Sequence, residues 1–181
     1  MAAHVVVLDA NVLYGIEVTD LVLTMATRQV IRPHWSPQIL DEVTRNLRLR
    51  PDLDPDAIDR RIAYMNRALP SAIEEPRASL IDQMPVNEKD RHVLALAVHV
   101  DAPVIVTENL RDFPPELLDS FHVEAIGVDQ FVLDHVERDP AAILGVLDTM
   151  AARRRRPATT RADIVAGLRR HVPLAMAALV T

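Results

Sequence analysis

The chain has 181 residues, 49% of them apolar and 25% charged, with a formal net charge of −6. That is the make-up of an ordinary globular protein, long enough for one domain and too short for two comfortable ones. The negative charge argues against coating nucleic acid by bulk electrostatics and leaves a local basic patch open, while the lack of cysteine excludes disulfides and thiolate metal sites.

The first residues carry no basic segment, and Asp9 ends their apolar run far short of a signal sequence. No apolar run is long enough to span a membrane, so the expectation is a cytoplasmic protein without membrane contact. Residues 4–8 read as a first, central strand ended by the polar Asp9-Ala10-Asn11. The apolar residues after it fit a helix packed on the sheet, with Thr19 or Asp20 as its cap. Residues 31–35 look like a second strand, which Pro33 confines to an edge or a strand start. Ser36-Pro37 is a helix entry, Ser36 capping and Pro37 at the first position. The helix buries Ile39, Leu40, Val43 and Leu47 on one stripe and leaves Glu42 on its flank. Residues 51–55 form a turn, 56–69 a polar amphipathic helix, and 70–85 an irregular surface connection.

Residues 87–113 are the most informative stretch. Asp90 opens a helix in which Val93, Leu96, Ala97 and Val100 recur at helical spacing, and Asp101-Ala102-Pro103 stops it. Residues 104–106 are an uninterrupted apolar run, the pattern of a strand covered on both faces in a parallel sheet. The run ends at Thr107-Glu108-Asn109, with Asp112 just beyond. A short helix and a fourth strand at residues 123–126 follow, and from Asp129 onward strand signals stop. Asp139-Pro140 starts a helix running into Arg153, Arg154, Arg155 and Arg156. Thr160 to Asp163 fits a capping box, and an apolar segment spans 174–180.

Alternating strands and helices predict an α/β fold, a three-layer α/β/α sandwich with a mostly parallel sheet. Residues 1–128 would form it and 129–181 a helical C-terminal extension packed on or beside it. On such a sheet Asp9, Glu42, Asp90 and Asp112 can converge at the carboxyl edge, where ligands collect. Four packed carboxylates repel, and a hard divalent cation resolves the conflict; Mg²⁺, with Mn²⁺ as a substitute, takes oxygen ligands and clamps phosphate oxygens. Zinc is disfavoured without cysteine or paired histidines.

Each acid also has a structural reading: an Asx turn for Asp9, a helix N-terminus behind an Asn87 cap for Asp90, a cap near Pro114 for Asp112 and plain solvation for Glu42. Arg153 to Arg156 could contact the phosphates of a nucleic acid or simply complement a helix C-terminus, and Arg169-Arg170-His171 shares that ambiguity. His92 and His99 read as structural or surface residues, and Trp35 as core. Aromatics total only 3%, which disfavours recognition of single-stranded nucleic acid by stacking.

The segments around the four acids are more specific than their spacing. Leu8-Asp9-Ala10-Asn11-Val12-Leu13, Trp35-Ser36-Pro37-Gln38-Ile39-Leu40-Asp41-Glu42-Val43, Lys89-Asp90-Arg91-His92-Val93-Leu94-Ala95 and Val106-Thr107-Glu108-Asn109-Leu110-Arg111-Asp112-Phe113-Pro114 resemble, in order, the four motifs of PIN-domain proteins. Among these the chain is similar to the VapC-type toxins of toxin-antitoxin pairs. The resemblance implies a Mg²⁺- or Mn²⁺-dependent endoribonuclease with Asp9, Glu42, Asp90 and Asp112 as catalytic acids. Asp9, Asp90 and Asp112 would bind the metal, and Asn11, Thr107 and Asn109 would orient water or carboxylates behind them. It further implies an RNA substrate, a cognate antitoxin, a homodimer, and a metal-activated water that leaves a 5′-phosphate. Two other classes fit parts of the pattern: a non-catalytic RNA- or partner-binding module, and a phosphohydrolase with Asp9 as nucleophile, although Asn11 stands where its second aspartate would be.

Overall fold

The structure, a computed structural model, describes residues 4–179; residues 1–3, at the head of the N-terminal run, and 180–181, at the end of the last apolar segment, lie outside the described residues. Four strands, β1 (His4–Leu8), β2 (Ile31–His34), β3 (Val104–Val106) and β4 (Glu124–Ile126), form one parallel sheet in the order β2-β1-β3-β4. In register, Val6 pairs with both Pro33 and Val104, and Leu8 with Val106. Val6, Val7, Leu8, Ile105 and Val106 are fully buried, as a centrally placed parallel strand demands. Pro33 sits on the edge strand, where its missing N–H costs least.

Because the order turns back at β1, right-handed crossovers place successive helices on opposite faces. Helix α1 (Ile16–Thr27) lies against β2, and α5 (Arg91–His99) against β1 and β3. Between them come α2 (Pro37–Arg48), α3 (Pro55–Ala68) and the short α4 (Ala78–Ile81), then α6 (Pro115–Leu118) ahead of β4. Ser36 caps α2 through its side chain on the Ile39 N–H, and α2 buries the predicted Ile39, Leu40, Val43 and Leu47. Trp35 is fully buried.

The rest of the chain is helical: α7 (Val128–Arg138), α8 (Pro140–Arg153), α9 (Arg161–Leu168) and α10 (Pro173–Ala178). Helix α8 packs on α1, α9 on α8, and α10 on α7, and their buried side chains join a single apolar core with those of the sheet. The capping box at Thr160 and Asp163 forms as expected. No helix among the described residues is long and apolar enough to cross a membrane.

Several expected boundaries move. Helix α1 starts behind Gly15, with Thr19 and Asp20 inside it, not as caps; Val12 and Leu13 belong to a preceding 3-10 turn. Asp54, not a residue of the helix itself, caps α3. Asn87 makes no side-chain cap, and Asp112 does not cap α6, because its carboxylate is engaged elsewhere. Residues 70–85 hold a 3-10 turn and α4, and Trp35 bridges to Ile73 alongside the sheet. Helix α7, for which the sequence carries no capping signal, is additional.

Candidate active site

Parallel strands leave ligand crevices where the strand order turns back, outside their carboxyl ends. Here that place lies between the ends of β1 and β3. Asp9 continues the ladder there, its N–H on the Val106 carbonyl at 3.0 Å. Its Oδ1 accepts from the Ala10 N–H at 2.7 Å, and its Oδ2 from the Thr107 hydroxyl and the Asn11 amide, both at 2.7 Å. Thr107, fully buried, also accepts from the Asn109 N–H, and Asn11 Oδ1 accepts from the Glu108 N–H. The polar ends of the two central strands are thus tied together through Asp9. Burial raises the Asp9 carboxyl above the ordinary range, against the pull of the Thr107 and Ala10 hydrogen bonds and with added repulsion from Glu42.

Asp90 sits where a 3-10 turn (Glu88–Asp90) runs into α5, a kink that aims its side chain at the same edge. Its Oδ2 is buried and makes no hydrogen bond, with Lys89 Nζ 3.5 Å away. Burial likewise raises Asp90, Lys89 opposing the shift and Asp112 and Asp9 adding to it. Glu42, on α2, faces the cleft and has Oε1 2.9 Å from Nε2 of the buried His92, off the line of an N–H hydrogen bond. Behind it Asn46 donates to the Tyr14 hydroxyl at 2.7 Å.

These groups surround one open cleft of about 670 Å³, which Asp9, Asn11, Glu42, Asp90 and Asn109 line together with Tyr14, Arg45 and Lys89. Asp112 stands at the rim. It accepts from Lys89 Nζ at 2.5 Å and from the Asn109 amide, and the lysine holds its carboxyl below the ordinary range. No three Asp, Glu or His side chains among the described residues converge closely enough to hold a metal ion. The acids gather around one space without meeting: Asp9 is drawn to Thr107 and Asn11, Glu42 to His92, and Asp112 to Lys89. The donor set nonetheless suits a hard divalent ion, since it offers carboxylate oxygens, one of them buried and unpartnered on Asp90.

The basic run lies elsewhere. Arg153 and Arg154 pair with Asp20 on α1 at 3.2 and 3.1 Å, and Arg154 borders a separate groove between α1 and α3. Two site neighbours were not assigned to the site from the sequence, His92 being read as structural or surface. Lys89 is the chain's sole lysine and adjoins Asp90, which was a usable signal. His92 stands inside a run of buried apolar residues, where a ring with two polar nitrogens needs a reason to be.

Comparison with known proteins follows the same lines. Residues 128–180 match the family described as VapC50 C-terminal domain. A relative named "Putative ribonuclease VapC50", from Mycobacterium tuberculosis, is 45% identical over 73 residues, which are 38% of this chain and 43% of that protein. The aligned stretch therefore spans less than half of that relative. No solved structure gives a significant match. Residues 5–111, which hold both central strands and three of the four acids, match the PIN domain, and with its parallel sheet and switch-point acids the chain belongs to the PIN-domain family.

Proposed function

We propose that the protein is a divalent-metal-dependent endoribonuclease and the toxin of a toxin-antitoxin pair. The observation that carries this reading is the cleft at the sheet's switch point, where Asp9 and Asp90 are both raised by burial and the buried Asp90 Oδ2 makes no hydrogen bond, with only Lys89 Nζ 3.5 Å away. Buried charge compensated only in part in that way suits a further cation. Asp9 and Asp90 would hold Mg²⁺ or Mn²⁺, with Glu42 and Asp112 completing the set. Such an ion offsets the phosphoryl charge and lowers the pKa of water in its shell.

The chain's own residues do the positioning. Thr107 and Asn11 fix Asp9, and Asn109 and Lys89 restrain Asp112. Lys89, on the open side, meets the incoming phosphodiester. Water attacks phosphorus in line, the bond to the 3′-oxygen breaks and that oxygen takes up a proton, which leaves a 5′-phosphate. Arg155 and Arg156 serve as further RNA contacts, Arg153 and Arg154 being committed to Asp20. Asp9 as a covalent nucleophile is disfavoured, because both its oxygens already accept hydrogen bonds. The antitoxin would cover the acidic edge, an inserted arginine repeating what Lys89 does between Asp90 and Asp112. The working unit is a cytoplasmic homodimer, each copy a nuclease domain up to residue 128 followed by the helical extension.

The test is cleavage of an end-labelled structured RNA, such as bulk tRNA, with Mg²⁺, Mn²⁺ or EDTA. Discrete cuts that require the metal and vanish in Asp90→Asn are the expected result. Cuts that persist in EDTA or in a folded Asp90→Asn protein would remove the mechanism.

A further inference from the structure

The C-terminal helices touch the catalytic edge at one corner. Arg170 and His171, just past α9, reach Glu17 in the first turn of α1, with Arg170 at 3.8 Å and His171 Nε2 at 3.2 Å from Glu17 Oε2. The backbone of α9 itself lies close against that carboxylate: a Cβ on Gly167 would stand 2.9 Å from Glu17 Oε1. A larger residue at 167 would displace the Glu17 side chain. Glu17 therefore fixes where the two basic side chains sit.

A groove of about 290 Å³ opens beside this corner, lined by Asn11, Gly15, Glu108, Arg170 and His171 among others. Asn11 and Glu108 line the acid cleft as well, so groove and cleft adjoin through these two residues. Asn11 is the residue that holds Asp9. A chain laid across the acid cleft and over Asn11 meets Arg170 next. The acid lining the groove, Glu108, is already engaged by the N–H of Val128 at 3.0 Å, and Glu17 outside it by Arg170 and His171. Arg170, by contrast, remains 75% exposed, and its contact with Glu17 is long for an ion pair. Most of its five N–H donors remain available to a planar anion.

A polyanion approaching a protein of net charge −6 and a cleft lined by carboxylates needs such a cation close by. We propose that Arg170, with His171, forms an RNA phosphate subsite beside the cleft, a site built by the C-terminal extension for the backbone phosphate flanking the scissile one. It rests on the nuclease reading for what the neighbouring cleft does. The cations after α9 thus act on substrate; they are more than complements to the end of a helix.

Binding separates this subsite from catalysis. The full chain carrying Asp90→Asn is titrated with a fluorescent single-stranded oligoribonucleotide in Mg²⁺ over a range of salt, with and without Arg170→Gln. One lost phosphate contact lowers the salt slope by about 0.7 and weakens binding about four-fold at roughly 0.15 M salt. Arg170→Lys keeps the charge and should recover most of the slope. An unchanged slope in a folded Arg170→Gln protein overturns the subsite, as does absence of RNA binding by the parent. Wild-type protein that fails to cut while its binding depends on Arg170 would sink the nuclease reading and leave the subsite standing. Cutting with Arg170-independent binding would do the reverse.

Discussion

Asp9 on the floor of the cleft and Asp112 on its rim are both hydrogen-bonded carboxylates at the same sheet edge, yet their surroundings push them in opposite directions. Burial raises Asp9, and the hydroxyl of Thr107 and the Ala10 N–H offset only part of that. An ammonium 2.5 Å away pulls Asp112 down. Asp9 receives neutral donors and no full cation within the chain, whereas Asp112 is paired with Lys89, and Asp90 stands between them with the same ammonium 3.5 Å away. The difference agrees with the proposed metal site: an outside cation is wanted most at Asp9 and least at Asp112.

Removing the floor's charge should have the largest effect. Asp9→Asn is expected to lower cleavage about 100-fold or more, on the scale of losing one preorganised electrostatic group. The fold should survive. A carboxyl whose pKa is raised on folding costs stability once pH exceeds the unfolded value, so at neutral pH the amide relieves a cost even as it weakens hydrogen bonds. Single-turnover rates with melting curves on the same samples measure both, and a well-folded Asp9→Asn protein at full speed would erase the distinction between floor and rim.

Thr107→Val tests the floor's support at smaller scale. It takes one donor from Asp9 and the acceptor from the Asn109 N–H in a fully buried position, which should cost about 1–3 kcal/mol in denaturant titrations. The lost hydroxyl had been lowering Asp9, so its pKa rises further and the acid limb of the pH–rate profile moves to higher pH. A limb that moved down would contradict the role given to Thr107. The smallest effect belongs to the rim. In Lys89→Met, Asp112 and Asp90 should both titrate at higher pH by carboxyl NMR, because the ammonium was lowering each. Global stability should barely change, since the lysine is 64% exposed.

The elements readable in the sequence are those whose ends are closed by their own neighbours. Ser36 caps α2, Asp139 caps α8, and Thr160 with Asp163 boxes α9, all within three residues. The apolar runs of β1 and β3 were equally plain, because a buried parallel strand admits little else. What was missed is closed from a distance. Helix α7 begins behind Gly127 and is capped by Glu108, twenty residues back. The turn before α1 is held by Arg61, whose guanidinium donates to the carbonyls of Leu13, Tyr14 and Gly15 from α3. Helix α10 takes its N-terminal acceptors from Asp129 on α7. The site divides in the same way. Asp9, Glu42 and Asp90 could be located on their elements, but that Lys89 would draw Asp112 aside, or that His92 would stand against Glu42, depends on contacts no local pattern encodes.

Lys89 has one more use. As the chain's sole lysine, it gives amine-selective acylating reagents one side-chain target, and that target stands on the lip of the cleft. Asp112 raises the amine's pKa above the ordinary lysine range, so the small fraction of free, reactive amine at neutral pH becomes smaller still. Whatever enters the cleft and takes Asp112 away from it would quicken the labelling, and whatever lies over the ammonium would stop it. The acylation rate of this single amine is therefore a built-in occupancy gauge, readable by mass spectrometry on unmodified protein.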